Sequence, residues 1–312
     1  MTADSPVIAE VVRNGFVESV HRGRVLVCAP DATRLLAVGD VDRLMLPRSC
    51  LKPMQTCALL HAGWQPTDTE MVAVAAASHS GEPAHLDVVR RILRAAGLDE
   101  DALQNTPDQP LDEQTRNARI TAGTGPDRRS QNCSGKHAAM RATCVARGWP
   151  VEDYVDAAHP LQQAVIAAVR ELAAESVDTV VVDGCGAPAL ALTMRGLVRA
   201  FAAAAASEVG AAMRRHPDLV GGTRRDVTRL METIAGLTVK DGAEGVVVAT
   251  LEDGTTVAVK VDDGAARART PVLAAALARF GVDLSAVADL ARPAVLGHGK
   301  PVGVVRAVLP IG

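Results

Sequence analysis

The sequence predicts an α+β protein in which strands from both ends of the chain form one antiparallel sheet and helices pack against it. Three observations support this class. Short Val-rich segments separated by turn residues lie near the N-terminus, helical periodicity runs through the middle of the chain, and a hairpin signal lies near the C-terminus. We expect a single domain over residues 1–312, with a helical lobe at about 49–235.

The first strands are predicted between residues 7 and 38. The segments "VIAEVV", "FVESV" and "VLVCA" are divided by Asn14-Gly15 and by "HRGR", and Pro30-Asp31 follows the last of them. Asn-Gly, Gly and Pro favour turns, so the region is predicted to be an antiparallel meander. In this interpretation "HRGR" is a turn between two separate strands.

Helical patterns dominate from Ser49 to about Glu232. Apolar residues at helical spacing predict helices in "MVAVAAA", "HLDVVRRILRAAG", "KHAAMRATCVARG", "LQQAVIAAVRELAAE" and "DVTRLMETIAG". The segment "VDTVVVDGCG" interrupts them and is predicted to be a buried strand that ends in a glycine-rich turn.

Strand signals return in "EGVVVATLEDGTTVAVKV", where Asp253-Gly254 separates two β-rich runs. An Asp-Gly pair between such runs is the strongest short-range hairpin signal. A helix is predicted in "TPVLAAALARFG" and a last strand in "PVGVVRAVL".

The composition restricts the function classes. Hydrophobic residues make up 48% and charged residues 22% of the chain, which is typical of a globular protein. A net charge of −3 and 2% aromatic residues argue against a nucleic-acid partner and leave a small polar substrate as the natural expectation. We expect a cytoplasmic protein without a membrane partner and without structural disulfides, because no long apolar run or signal-type start occurs and the six cysteines are widely spread.

The stretch "RSCLKPMQT" carries the first candidate for catalysis. Ser49 and Lys52 share a face if a helix begins near Ser49, and Pro53 favours that start because proline is tolerated in a first turn. A lysine with a lowered pKa can take the proton of a serine and make it a nucleophile, as in β-lactamases. The pattern also arises by chance, and a helix-capping serine with a solvated lysine remains the alternative.

The run "ASHSGEPAH" is predicted to be a loop at the site. Ser80 can donate a proton or bind a substrate, and the alternative is that Ser80 or Glu82 caps the next helix. His79 on its own would more often be structural. Lys260, at the end of a strand in "TTVAVKVDDGAARA", can supply a cation or a base, against the commoner alternative of a surface lysine.

A metal site is one interpretation of two further segments, "QNCSGKHAAM" and "VVVDGCGAP". Cys133, Lys136 and Cys185 could converge on a zinc ion, with Asp183 as a further oxygen donor, because zinc takes sulfur, nitrogen and oxygen ligands. The residues alone leave open the alternative of two buried cysteines.

Together the segments "RSCLKPMQ", "SHSGEPAH", "NCSGKHAAM", "VDGCGAP" and "KVDDGAARA" resemble the inducible L-asparaginases of the Rhizobium etli type, the asparaginase II superfamily. The resemblance implies hydrolysis of L-asparagine to L-aspartate and ammonia on a fold similar to serine β-lactamases and glutaminases. It also implies a homodimer and a zinc ion that modulates substrate binding.

The resemblance further implies roles for individual residues. It pairs Ser49 with Lys52 and Ser80 with Lys260 as catalytic residues, with Ser49 or, alternatively, Ser80 as nucleophile, and it makes Cys133, Lys136 and Cys185 the zinc ligands. Substrate binding is assigned to six residues: Arg48, His79, Glu82, Asn132, His137 and Asp183. Arg48 is expected to bind the α-carboxylate because guanidinium and carboxylate form paired hydrogen bonds. Two alternatives stay open: a glutaminase or β-lactamase-like hydrolase, and a zinc- or amino-acid-binding sensor without turnover.

Overall fold

The protein is described from a computed structural model that covers residues 5–309. The strands are β1 (Val7–Arg13), β2 (Phe16–Cys28), β3 (Arg34–Val38), β4 (Val180–Val182), β5 (Pro188–Leu190), β6 (Thr238–Gly242), β7 (Val246–Thr250), β8 (Thr256–Val261), β9 (Ala294–Gly297) and β10 (Lys300–Ala307). The helices are α1 (Lys52–His61), α2 (Thr69–Ala75), α3 (Pro83–Ala95), α4 (Glu113–Thr121), α5 (Ser134–Arg147), α6 (Pro160–Ala173), α7 (Met194–Ala206), α8 (Glu208–Arg215), α9 (Pro217–Val220), α10 (Asp226–Thr233), α11 (Ala266–Arg279) and α12 (Ala288–Ala291).

The described residues form two compact units. The first unit contains those up to Cys50, Leu192–Ala202 and those from Arg229 onwards. The second unit contains Leu51–Ala191 and Ala203–Thr228. The single domain expected from the sequence stays a prediction.

The first unit is built on an antiparallel sheet of eight strands. Seven follow the order β6-β7-β8-β2-β1-β10-β9, and β3 pairs with β2. Helix α11 packs on β8, β10, β7 and β1. The sheet therefore combines strands from both ends of the chain, and the predicted α+β class is confirmed.

Turn residues explain two of the predicted hairpins. Asn14 and Gly15 join β1 to β2 with φ angles of 46° and 83°, the left-handed values that a tight two-residue hairpin needs. Gly254, with a φ angle of 90°, lies in the turn between β7 and β8. The neighbouring strands are rich in Val, and every residue of β7 is buried.

The interpretation of "HRGR" as a turn is wrong, because β2 runs unbroken from Phe16 to Cys28. Within it Val20 and Arg22 are exposed whereas His21 and Gly23 are buried, which is the alternation of a strand. Gly23 allows β8 to approach closely, since a Cβ atom there would lie 2.2 Å from the Lys260 carbonyl oxygen. The polar segment around Gly23 is therefore part of a strand in close contact with β8, and not a turn.

The second unit is mainly helical. Helix α5 is buried along residues 134–144 and packs against α1, α2, α3 and α6. The strand β4 was predicted to be buried, which is wrong: Val182 is 79% exposed, because β4 pairs only with the short β5 in a sheet of two strands. The strand β5 was not predicted.

Two elements near the C-terminus also differ from the prediction. Helix α11 begins at Ala266 and continues through Pro271, whereas the sequence placed that proline at the start of the helix. Strand β9 was not predicted, since four residues carry too little periodicity. All six cysteines are free thiols.

Within residues 5–309 no single helix is long and apolar enough to cross a membrane. One bent pair, α7 with α8, meets the length and composition criterion when the two are taken together.

Candidate active site

Ser49 lies in a 3-10 turn, Arg48–Leu51, that leads directly into α1. Helix α1 begins at Lys52 with Leu51 as its N-cap residue and Pro53 in the first turn. A helical segment thus begins at Arg48, next to the predicted start near Ser49, and that prediction is confirmed. The N-cap residue of α1 is Leu51 and not Ser49, so the alternative that this serine caps α1 is wrong.

The backbone before Ser49 is strained. Arg48 has a φ angle of 53°, which is uncommon for a residue with a side chain and typical of functional sites. Gly242 at the end of β6 approaches this turn so closely that a Cβ atom would lie 2.7 Å from the Pro47 carbonyl oxygen. The close packing of β6 explains how the strained conformation is held.

Lys52 is buried, with 2% of its surface exposed. Its Nζ atom donates to the Ala77 carbonyl at 2.6 Å, the Ser78 hydroxyl at 3.1 Å and the Asn132 carbonyl at 3.2 Å. Among the chain's five lysines, all within residues 5–309, only Lys300 is exposed. A buried amine in contact with a hydroxyl is the geometry that proton transfer requires.

Ser78 was missed by the sequence analysis although it lies in the same polar run as Ser80. The Ser80 hydroxyl instead donates to the Gly221 carbonyl at 2.8 Å. Gly222 covers it so closely that a Cβ atom at that position would lie 2.4 Å from Ser80 Oγ. Two serines two residues apart thus have different partners, and residue spacing alone cannot distinguish them.

Glu82 fixes the loop that follows Ser80. It is the N-cap residue of α3, its backbone N–H donates to His85 Nδ1, and its carboxylate accepts from the Thr223 backbone at 3.0 Å. The alternative that Glu82 caps this helix is confirmed. Its predicted contact with substrate stays a prediction.

His79 is fully buried and uses both ring nitrogens within the protein. Nδ1 accepts from the Gly81 N–H at 3.2 Å, so Nε2 carries the proton and donates to the Ser134 hydroxyl at 2.8 Å. Burial, with the nearby charges of His85 and Lys52, lowers the pKa of His79 well below its usual value, and the ring is neutral. These contacts hold the loop of Ser78 and Ser80 against the start of α5.

Cys133, Lys136 and Cys185 come together in one buried cluster. Cys133 is the N-cap residue of α5, Lys136 lies in its first turn, and Cys185 lies between β4 and β5. Lys136 Nζ lies 3.3 Å from Cys185 Sγ. The sequence therefore selected three residues that are neighbours in space although 52 positions separate the first from the last.

The charges of this cluster are strongly coupled. A hydrogen bond with Cys133 lowers the pKa of Cys185 to about 5, and the same bond raises the pKa of Cys133 to about 12. Burial acts to lower the pKa of Lys136, but the negative charge of Cys185 outweighs it and raises that pKa. The stable state of the cluster is a Cys185 thiolate paired with the Lys136 ammonium.

The donor set fits a zinc ion. The two cysteine sulfur atoms are ligands that zinc prefers, and the amine nitrogen of Lys136 is a rarer one; the three would leave one of four tetrahedral positions open. Binding would require Cys133 and Lys136 to release their protons. Among the described residues no group of three or more His, Cys, Asp and Glu side chains is placed to hold a metal ion, so the expected oxygen of Asp183 does not join the two cysteines as a ligand.

The other predicted binding residues of the second unit surround this cluster. The Asn132 side-chain oxygen accepts from the Cys133 thiol at 3.0 Å, and Asp183 lies in the turn before Cys185. His137 is fully buried, with Nδ1 2.6 Å from the Tyr154 hydroxyl oxygen. Burial and the charge of Lys136 lower the pKa of His137 well below its usual value, so that this ring too is neutral.

Arg48 and Lys260 line one cavity in the first unit. Lys260 Nζ donates to the Val261 carbonyl at 2.9 Å and to the Glu244 carbonyl. Burial is the main cause that lowers the pKa of Lys260. The predicted pairs Ser49–Lys52 and Ser80–Lys260 each join residues of different units, and both pairings stay predictions.

Comparisons with known proteins cover almost the whole chain. The family model described as L-asparaginase II matches residues 9–307. A solved structure, a beta-lactamase from Mycobacterium bovis, aligns over 89% of this chain and 97% of its own, with 15% sequence identity and a TM-score of 0.40. Comparison with curated proteins gives no match.

Proposed function

Because the chain belongs to the L-asparaginase II family, we propose that it hydrolyses the side-chain amide of L-asparagine to L-aspartate and ammonia. The family supports an amidohydrolase with a small-molecule substrate. The observation that carries the mechanism is the buried Lys52, whose Nζ donates to the Ser78 hydroxyl at 3.1 Å and which follows Ser49 by three residues.

The proposed reaction is acyl transfer in two steps. Ser49 Oγ bonds to the side-chain carbonyl carbon to give a tetrahedral adduct, and its proton goes to the amine form of Lys52. The carbon–nitrogen bond then breaks, the proton passes from Lys52 to the leaving nitrogen, ammonia leaves, and the β-aspartyl ester of Ser49 remains. Water attacks the β-aspartyl ester by the same proton route, which releases L-aspartate and restores Ser49.

Ser78 and Lys260 have supporting roles in this proposal. The Ser78 hydroxyl, in contact with Lys52, relays protons between the lysine and the leaving nitrogen. Lys260, whose pKa burial lowers, exchanges a proton more readily than an exposed lysine and helps to position the substrate. Ser80 is the alternative nucleophile, and its hydrogen bond to Gly221 would have to break before it could attack.

Cys133, Lys136 and Cys185 would hold zinc near the start of α5. When bound, the ion supplies a positive charge that favours substrate binding. Asn132 links the two parts of the proposal, because its carbonyl oxygen accepts from Lys52 and its side chain accepts from the thiol of Cys133. A change at the metal cluster would therefore reach Lys52 through one residue.

The test is ammonia release from L-asparagine by wild type and by Ser49→Ala, Ser78→Ala and Ser80→Ala. Ser176→Ala, at an exposed position, is the matched control. We expect the control to equal wild type and Ser49→Ala to lose at least about 10³-fold in kcat, as expected when a nucleophile is removed from an acyl-transfer enzyme. Full activity in a folded Ser49→Ala variant would transfer the nucleophilic role to another serine.

The same assay with L-glutamine and a β-lactam distinguishes the alternatives. One extra methylene changes pocket affinity by only about 1–3 kcal/mol, so weak glutaminase activity is compatible with the proposal. A chain that binds L-asparagine without releasing ammonia would instead be a sensor.

We also propose that the protein is a homodimer. Light scattering after size-exclusion chromatography tests this proposal, and a monomer would contradict it.

A further inference from the structure

The cavity lined by Arg48 and Lys260 in the first unit has a volume of about 300 Å³. This is the lower end of the range for ligand cavities, and it suits a molecule of amino-acid size. Four cationic side chains line it, together with two carboxylates: Arg24, Arg43, Arg48, Lys260, Glu244 and Asp262. With all six groups charged, the lining has an excess of positive charge.

Arg24 is the unusual member of this set because it is buried, with 4% of its surface exposed. It lies directly opposite Lys260 on the neighbouring strands β2 and β8. Two cations side by side repel each other, and burial of each of them is unfavourable. Burial lowers the pKa of Arg24, although Asp262 acts in the opposite direction.

The protein leaves part of the Arg24 guanidinium without a partner. Its Nη1 atom donates to the Arg43 carbonyl at 2.9 Å and to the Asp40 carbonyl at 3.3 Å, which fixes the side chain. Its Nε atom is buried and has no hydrogen-bond partner among residues 5–309; Asp262 Oδ1, at 3.8 Å, is too distant. A buried N–H without an acceptor is unfavourable, so Arg24 has unused hydrogen-bonding capacity beside this cavity.

We propose that this cavity binds a free α-amino acid, with Arg24 as a further specificity-determining residue for the α-carboxylate. Arg24 and Arg48 bind the carboxylate, and Asp262 and Glu244 accept hydrogen bonds from the ammonium group. The choice of ligand rests on the proposed function, in which Arg48 precedes the nucleophile. Selection of the ligand then requires both charged groups of the amino acid, because side chains of both signs of charge line one small cavity.

Three ligands separate the two charged groups in calorimetric titrations. L-aspartate, the product, carries both groups; succinate lacks the ammonium; β-alanine lacks the α-carboxylate. The variants are Arg24→Gln and Asp262→Asn, and Arg22→Gln is the matched control at an exposed position of the same strand. Thermal melts establish that each variant is folded, and Arg24→Lys, which keeps the charge, replaces Arg24→Gln if the latter does not fold.

We expect Arg24→Gln to weaken L-aspartate and succinate by about 10- to 100-fold and β-alanine by less than about twofold, as for loss of a hydrogen bond to a charged group. Asp262→Asn should weaken L-aspartate and β-alanine and leave succinate unchanged. No binding of L-aspartate to wild type, an unchanged affinity in Arg24→Gln, or equal weakening of all three ligands would each overturn the inference.

Failure of this inference can be distinguished from failure of the proposed function. If wild type releases ammonia from L-asparagine and Arg24→Gln has an unchanged KM, the inference is wrong and the function stands. If no ammonia is released but L-aspartate binds in an Arg24-dependent way, the cavity is an amino-acid site and the proposed function is wrong.

Discussion

Replacement of Lys52 by Met is the substitution that most clearly separates a catalytic from a structural lysine. The change keeps the apolar stem of the side chain and removes the ammonium, which donates to Ala77, Ser78 and Asn132. Each acceptor left without a donor destabilises the fold by about 1–3 kcal/mol. Against this, the variant no longer buries a charge. Burial of a charge destabilises a fold by several kcal/mol per ion, which is about as much as the lost hydrogen bonds contribute.

The two contributions nearly cancel, so we expect the free energy of unfolding of Lys52→Met to change by less than about 3 kcal/mol. Activity should fall much further, by about 10²–10⁴-fold in kcat, which is the usual effect of removing a general base. Guanidinium unfolding and ammonia release measure the two quantities, with Lys300→Met as the exposed control. A folded Lys52→Met variant that keeps more than about a tenth of wild-type kcat would refute the role of Lys52 as the base.

Three further predictions concern the loop over Ser80 and the metal cluster. Gly222→Ala should lower the free energy of unfolding by about 1–3 kcal/mol or more, because the φ angle there is 130° and the new Cβ atom would lie 2.4 Å from Ser80 Oγ. An unchanged denaturation midpoint would show instead that the loop moves to make room for the methyl group. Without metal, the ultraviolet absorbance of the Cys185 thiolate should persist at neutral pH and disappear as the pH falls through about 5, which is the lowered pKa of Cys185. It should be absent in Cys185→Ser. Thiolate absorbance that appears only above about pH 8 would contradict the ion pair. Titration with zinc should release protons and be abolished in both Cys133→Ala and Cys185→Ala, whereas equal affinity in either variant would exclude that cysteine as a ligand.

Local patterns were sufficient for the elements whose determinants lie close together in the chain. Asn14-Gly15 and Asp253-Gly254 define their hairpins through backbone angles that few other residues adopt. Long amphipathic segments such as α3 and α6 likewise carry their own signal. The strand through "HRGR" did not, because its polar residues are explained only by the approach of β8 to Gly23.

The candidate site likewise contains residues that the sequence predicted and residues that only their distant contacts identify. Cys133, Lys136 and Cys185 were selected together from the sequence, and they do lie together. Ser78 was not selected over Ser80, because the difference depends on Lys52 in one case and on Gly221 in the other, both distant in the chain. Arg24 was hidden in the supposed turn, since its importance arises from the strand register that places it opposite Lys260.

The most direct test of the central claim is to trap the acyl-enzyme. Wild-type protein is mixed with L-asparagine, quenched in acid within the first turnover, digested and analysed by mass spectrometry, while ammonia is measured in the same samples. The proposed mechanism predicts ammonia release together with one β-aspartyl group on the peptide that contains Ser49, and no such adduct in Ser49→Ala. Ammonia release with the adduct on the peptide that contains Ser78 and Ser80, or with no adduct under conditions where deacylation is slow, would contradict it.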